Sequence, residues 1–244
     1  MHALFGTKHL ILIALSFLAA ALLFLLTRKW KFSTVCKNMF YLGIVSEFIK
    51  VVYYITANEE TYGGVLPKSD LPFHLCSIQI LFFAVINFTS NEKIKRVLYS
   101  FMLPSCLFGG IAAILIATDS SRNGLWILTL QYFAYHAALI VFSLHLFTSK
   151  ELRLNVKDYF NCLKFLVAVF FFAVYINGML YDGTRELNFM YVVSPPQPGL
   201  PYLNEDKGWL VYMIRYAVLV VVCVTLCYLK PIWKAIKEKK AARS

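Results

Sequence analysis

The sequence predicts an all-α polytopic membrane protein, a bundle of seven transmembrane helices with the N-terminus outside and the C-terminus in the cytoplasm. Three observations carry this prediction. The 244 residues are 59% hydrophobic and 15% charged, against about half apolar and about a quarter charged in a soluble domain. Apolar runs of roughly 20 residues, enough to cross a hydrocarbon core of about 30 Å, recur along the whole chain. The basic residues collect in alternate connections, which sets the orientation.

The first helix covers about 10 to 26. Lys8 is the one lysine or arginine before it, beside His9, and Arg28, Lys29, Lys31 and Lys37 follow it, the reverse of a signal peptide's layout, so it remains as a membrane helix. The second, 36 to 56, carries Glu47 and Lys50 three residues apart on one face, where the two charges neutralise each other inside the bundle. The third, 72 to 89, opens on Pro72, a residue suited to a first helical turn. Asn87-Phe88-Thr89 near its inner end matches a glycosylation sequon by chance. Lys93, Lys95 and Arg96 lead into the fourth helix, 97 to 117. The fifth, 125 to 147, precedes Lys150, Arg153, Lys157 and Lys164, and the sixth runs from 160 to 182. The seventh, 209 to 229, ends before Lys230, Lys234, Lys237, Lys239, Lys240 and Arg243.

Seventeen basic residues thus lie on one side and five (Lys8, Lys68, Arg122, Arg185 and Lys207) on the other. By the positive-inside rule the richer side is cytoplasmic. The net charge of +11 is therefore mostly a topology signal, suited to anionic inner-leaflet lipids rather than to nucleic acid. The chain reads as one integral membrane domain over 1–244, a multi-pass protein of the cell membrane, without internal repeats. The six cysteines suggest no disulfide and no metal site; Cys76 alone sits near the outer surface.

Polar groups in hydrocarbon cost several kcal/mol unless they face the bundle interior, so they mark where function is to be sought. The third helix begins Leu71-Pro72-Phe73-His74-Leu75-Cys76-Ser77-Ile78-Gln79. In a regular helix Cys76 and Gln79 share a face, whereas His74 points away from Cys76 and is a poor base for it unless the helix start is irregular. The fifth helix offers Gln131-Tyr132-Phe133-Ala134-Tyr135-His136, with Tyr132 one turn above His136. A Cys/His couple across the two helices would let imidazole withdraw the thiol proton. Depth stands against it, since His136 lies about 16 Å below the surface and Cys76 about 6 Å, counting helical rise. The competing reading makes His74 and His136 interhelical hydrogen-bonding groups and Cys76 a packing residue. Asn177 near the outer end of the sixth helix and Arg215 near that of the seventh add polar groups to the same half. Arg215 suits either a lipid phosphate or snorkelling to the headgroups. His145 takes no role. The outer connection 183–208, with Asn188-Phe189-Met190-Tyr191 and Pro195-Pro196-Gln197-Pro198, is long enough to serve as a lid or as a proline-stiffened surface loop.

Three of these segments, Leu71 to Gln79, Gln131 to His136, and Asn188 to Tyr191 with Pro195-Pro196, together resemble the YwaF-type bacterial membrane proteins, related to the animal transmembrane protein 164 family. Order and spacing agree from the second helix to the seventh, with Phe189 where the bacterial pattern commonly has Tyr. The resemblance implies a bundle of about seven helices with an intramembrane site. For the animal members it implies a phospholipid acyltransferase using a membrane-embedded cysteine. That cysteine falls on Cys76, with His136 as partner histidine and His74 beside it.

The leading expectation is thus a lipid acyltransferase of Cys/His type: Cys76 attacks an acyl ester to form a thioester, His136 serves as base and then acid, and Gln79 or Asn177 donates to the oxyanion. Glu47, Tyr132, Asn188 and Arg215 are its supporting or substrate-binding residues. Its partners are membrane phospholipids, and no cofactor is needed beyond them. The alternatives are a small transporter or ligand-binding protein, with Glu47, His74 and His136 lining a polar cavity, and a structural bundle acting through partners.

Overall fold

A backbone in hydrocarbon must satisfy its own hydrogen bonds, and the long apolar windows accordingly fold as helices. The computed structural model describes residues 4–56, 64–118, 121–122, 125–149, 153–181, 183 and 187–241; Lys150, Arg185 and Arg243, which entered the orientation count, lie outside them. The helices are α1 Thr7–Thr27, α2 Phe32–Thr56, α3 Leu75–Phe88, α4 Glu92–Leu115, α5 Trp126–Thr148, α6 Val156–Leu180 and α7 Trp209–Ala241. Among the described residues six helices are long and apolar enough to cross a membrane; α3, with 14 residues, is a shorter apolar helix.

Two ends depart from expectation in ways that matter. The third helix starts at Leu75 rather than 72: Pro72 stands in a turn, closed by the Phe73 N–H on the Leu71 carbonyl, and His74 is the extended residue that caps α3. The seventh passes through Pro231 to Ala241 instead of stopping at 229. Its added turns carry their own surface pairs, Lys234 with Glu238 at 3.7 Å and Lys237 over the Trp233 ring at 3.7 Å. The fourth and sixth helices begin earlier than 97 and 160 because asparagine caps start them. Asn91 accepts from the Lys93 and Ile94 N–H groups, and Asn155 forms a capping box with Asp158.

Helix α5 is the axis. Nearly every residue from Phe133 to Leu146 is buried, the pattern of a helix enclosed by others, and it packs against α1, α2 and α4. Two glycines allow this approach. A Cβ on Gly43 of α2 would lie 2.6 Å from Ile80 Cγ1 and 3.3 Å from the Tyr135 hydroxyl; one on Gly110 of α4 would lie 2.9 Å from Ile140 Cγ1 and 3.0 Å from the His136 carbonyl oxygen. Both close contacts fall at the level of Tyr135 and His136. Elsewhere α1 is pegged to its neighbours by histidines: His9 Nε2–H donates to the Ile114 carbonyl at 3.0 Å, and Thr27 is hydrogen-bonded with His145 Nε2 at 2.7 Å. His145 therefore has a structural task that its position in the sequence did not disclose.

Candidate functional site

Because α3 begins at Leu75, Cys76 stands in its first turn, and a side chain of the central helix reaches that turn. The Tyr135 hydroxyl donates to the Cys76 carbonyl oxygen at 3.2 Å. That bond brings the main chain of Cys76 within reach of the Tyr135 side chain, one residue before His136 in α5.

Cys76 is half-buried as a residue, and its thiol lies within electrostatic range of Glu47, Lys50, Tyr132, Tyr135, Tyr191 and Cys106. His74 and His136 are within range of each other. Neither imidazole hydrogen-bonds the thiol in the structure; each is oriented by a main-chain carbonyl. His136 Nδ1–H donates to Tyr132 O at 2.7 Å, and the Tyr132 ring lies 4.2 Å from the imidazole, centroid to centroid. Its Nε2 has no hydrogen-bond partner among the described residues, which leaves the lone pair of that tautomer open to accept a proton. His74 Nε2–H donates to Ser69 O at 3.2 Å. Burial holds the His74 imidazole below its ordinary pKa, opposed by the Ser69 carbonyl and the Asp70 carboxylate.

Glu47 is paired with Lys50 at 2.7 Å and accepts a hydrogen bond at 2.8 Å from the hydroxyl of Ser77, one residue after Cys76. Gln79 is buried against α4, its amide N–H donating to Ser105 Oγ at 3.0 Å and its Oε1 enclosed without a hydrogen-bond partner. Tyr132 donates to the Ala113 carbonyl at 3.0 Å.

The connection leading into α7, from residue 187 onward, forms a cover over His74. Asn177 grips the Phe189 main chain at both ends, its amide donating to Phe189 O at 3.0 Å and its oxygen accepting from Phe189 N at 2.9 Å. Its second N–H goes to Ala173 O at 2.7 Å, so no donor remains for an oxyanion. Asn188 folds the next turn, accepting from Val193 and Ser194 N–H and donating to Ser194. Between them Met190 and Tyr191 both adopt φ of 56°, a left-handed conformation that is unfavourable for such side chains. Three side chains of α7 hold it: Tyr216 donates to Met190 O, Tyr212 to Tyr191 O and Trp209 to Val192 O. The Phe189 and Tyr191 rings then lie 5.1 and 6.0 Å from the His74 ring. Arg215 reaches the same connection rather than a free surface, donating to Asn204 Oδ1 at 2.7 Å.

The structure thus sets Glu47 and Tyr132 within electrostatic range of Cys76, and His74 within range of His136, and assigns Asn177, Asn188 and Arg215 to the cover. Ser77, Tyr135 and Tyr191 belong to the cluster and were not singled out as site residues, although all three stand inside the motifs quoted above. All six cysteines are free thiols.

Comparison with known families gives one match: the model described as TMEM164 family covers residues 4–228. No curated protein and no solved structure matches significantly.

Proposed function

Since the chain belongs to the TMEM164 family, a multi-pass membrane protein by its apolar helices, we propose that it is a lipid acyltransferase of the cell membrane working through Cys76. The observation that supports this reading is the half-buried Cys76 in the first turn of α3, two residues after His74 and tied to α5 by Tyr135, the residue before His136, with both imidazoles oriented by main-chain carbonyls. A packing cysteine needs none of these neighbours.

In the proposed reaction a phospholipid ester carbonyl lies beside Cys76. The sulfur attacks the carbonyl carbon as its proton passes to His136 Nε2. The tetrahedral intermediate collapses with cleavage of the ester C–O bond, and His136 returns the proton to the departing lysolipid oxygen. An acceptor hydroxyl then gives its proton to His136 and attacks the thioester; the C–S bond breaks and the thiol is restored. Tyr132 O fixes the imidazole tautomer throughout. The hydrogen bond between Nε2 and the thiol forms in the substrate complex, since catalytic contacts commonly tighten only there. Glu47, paired with Lys50 and Ser77, is better suited to holding α2 against α3 than to relaying protons, which weighs against the transport reading.

The test is to incubate the purified protein with a phospholipid bearing a fluorescent acyl chain and look for a hydroxylamine-labile adduct by mass spectrometry. The adduct is expected on Cys76, absent in Cys76→Ala and retained in Cys106→Ala. Normal lipid turnover in Cys76→Ala, or no adduct in the native protein, would sink the proposal. Proteoliposome uptake lost in Glu47→Gln but not in Cys76→Ala would favour transport.

A further inference from the structure

The end of the bundle away from Cys76 carries a cavity lined by basic side chains. The start of α2, the end of α3 and the first two turns of α4 line a half-open cavity of about 510 Å³ there, within the range of small-ligand sites. Asn87, near the far end of α3, lines it; eleven residues of helical rise, about 16 Å, separate it from Cys76.

The chemistry of the wall is one-sided. Lys37, Lys93, Lys95 and Arg96 line the cavity against one carboxylate, Glu92, with Asn87 and Ser33 as neutral polar groups. Lys95 is occupied by Glu92 at 2.8 Å. Arg96 is fixed from behind: its guanidinium donates to both oxygens of the buried Asp158, at 2.7 and 2.6 Å, and to Arg153 O at 3.0 Å. Lys37 and Lys93 have no carboxylate partner among the described residues. Their excess charge is reinforced by the positive end of the α4 dipole. The first α4 N–H groups are already taken by Asn91, so an anion would be held by side chains.

Beside α3's end the surface becomes aromatic. Phe88, adjacent to Asn87, is 78% exposed, and its ring meets Phe40 of α2 edge-on with centroids 5.7 Å apart. Phosphate chemistry explains the lysines, but a soluble phosphate would make no use of an exposed aromatic ledge. A lipid would, with its headgroup in the cavity and its acyl chains along the rings.

We infer that this cavity is a binding site for an anionic phospholipid, with Lys37 and Lys93 as ligands of its phosphate and Phe40 and Phe88 as the seat of its chains. Arg96 and Asp158 shape the wall, and the two lysines supply the charge. The site is separate from the Cys76 cluster and independent of any reaction there.

The test uses the full chain purified in a non-ionic detergent. Native mass spectrometry and thermal unfolding are followed as phosphatidylglycerol, phosphatidylcholine or glycerol 3-phosphate is added. Phosphatidylglycerol is expected to be retained and to raise the unfolding temperature more than phosphatidylcholine does. Lys37→Gln with Lys93→Gln should weaken its binding by about fivefold for each lysine neutralised. The corresponding pair of arginine substitutions should keep it, and Lys237→Gln with Lys239→Gln on the tail of α7 should leave it unchanged. Equal retention of the two lipids, undiminished binding in the double glutamine variant, or an equal loss in the tail variant would overturn the inference. So would glycerol 3-phosphate binding as tightly as the lipid, which would make this a soluble-phosphate site.

Discussion

The hydroxyl of Tyr135, on the central helix, donates to the carbonyl oxygen of Cys76 across 3.2 Å. This one bond joins α5 to the first turn of α3, and it exists because Gly43 leaves room beside it: a Cβ there would stand 3.3 Å from the same hydroxyl. Tyr135→Phe keeps the ring and removes the bond. We expect a loss of about 1 kcal/mol in stability, measured by thermal unfolding in detergent, together with a change in the rate at which Cys76 reacts with a small maleimide. An unaltered Cys76 labelling rate would show that the bond does not position the turn.

Asn177→Ala should cost more, about 2 kcal/mol, because it strands the buried N–H and C=O of Phe189 together. The cover is expected to loosen locally, seen as faster amide hydrogen exchange over 188–194 with little change in α5. Asn177→Asp removes the two N–H donors but keeps the acceptor for Phe189 N, and should fall between native and alanine.

Gly110→Ala places a methyl group 3.0 Å from the His136 carbonyl oxygen, main-chain density that cannot rotate away. A destabilisation of about 1–3 kcal/mol is expected. The same substitution at Gly178, with nothing within 4 Å of the added carbon, should cost none of this. Thermal unfolding of the two variants side by side decides the point.

The cysteines divide by access. Cys76, Cys223 and Cys227 are half-buried, whereas Cys36, Cys106 and Cys162 are buried. A brief exposure of the folded protein to a small thiol reagent should modify the first three sites only, as read by peptide mass spectrometry, and denaturant should release the others. Early modification of Cys106 would contradict the packing of α3 on α4.

The bundle was legible in the sequence because hydrocarbon makes apolar length nearly synonymous with helix, and all seven segments appear where the apolar runs lie. Helix ends were less legible where a cap or a turn decides them. Pro72 suits a first helical turn, yet here it stands in the turn before one, with Phe73 N–H closed on Leu71. That shift of three residues took His74 out of the helix as its cap and left Cys76 in the first turn. The cover was legible only as a long connection. Its path depends on Asn177, Trp209, Tyr212 and Tyr216, side chains 12 to 26 residues from the loop residues they hold, and no local pattern announces left-handed Met190 and Tyr191. Asn177 and Arg215 were recognisable as polar residues in an apolar setting; that both serve the connection required the tertiary contacts.

The brevity of α3 also bears on the surrounding bilayer. Fourteen residues rise about 21 Å, roughly 9 Å less than a typical hydrocarbon core, and Leu81 and Phe88 are exposed on the helix's outer side. Lipids next to this sector meet a hydrophobic mismatch that their neighbours along α1 or α7 do not. Annular lipids with short chains fit it, and longer chains must compress or tilt to do so, at a cost of fractions of a kcal/mol per Å. Membrane thickness therefore acts on the one sector of the protein where the thiol sits, and bilayers of graded chain length would strain that turn while leaving the spanning helices at rest.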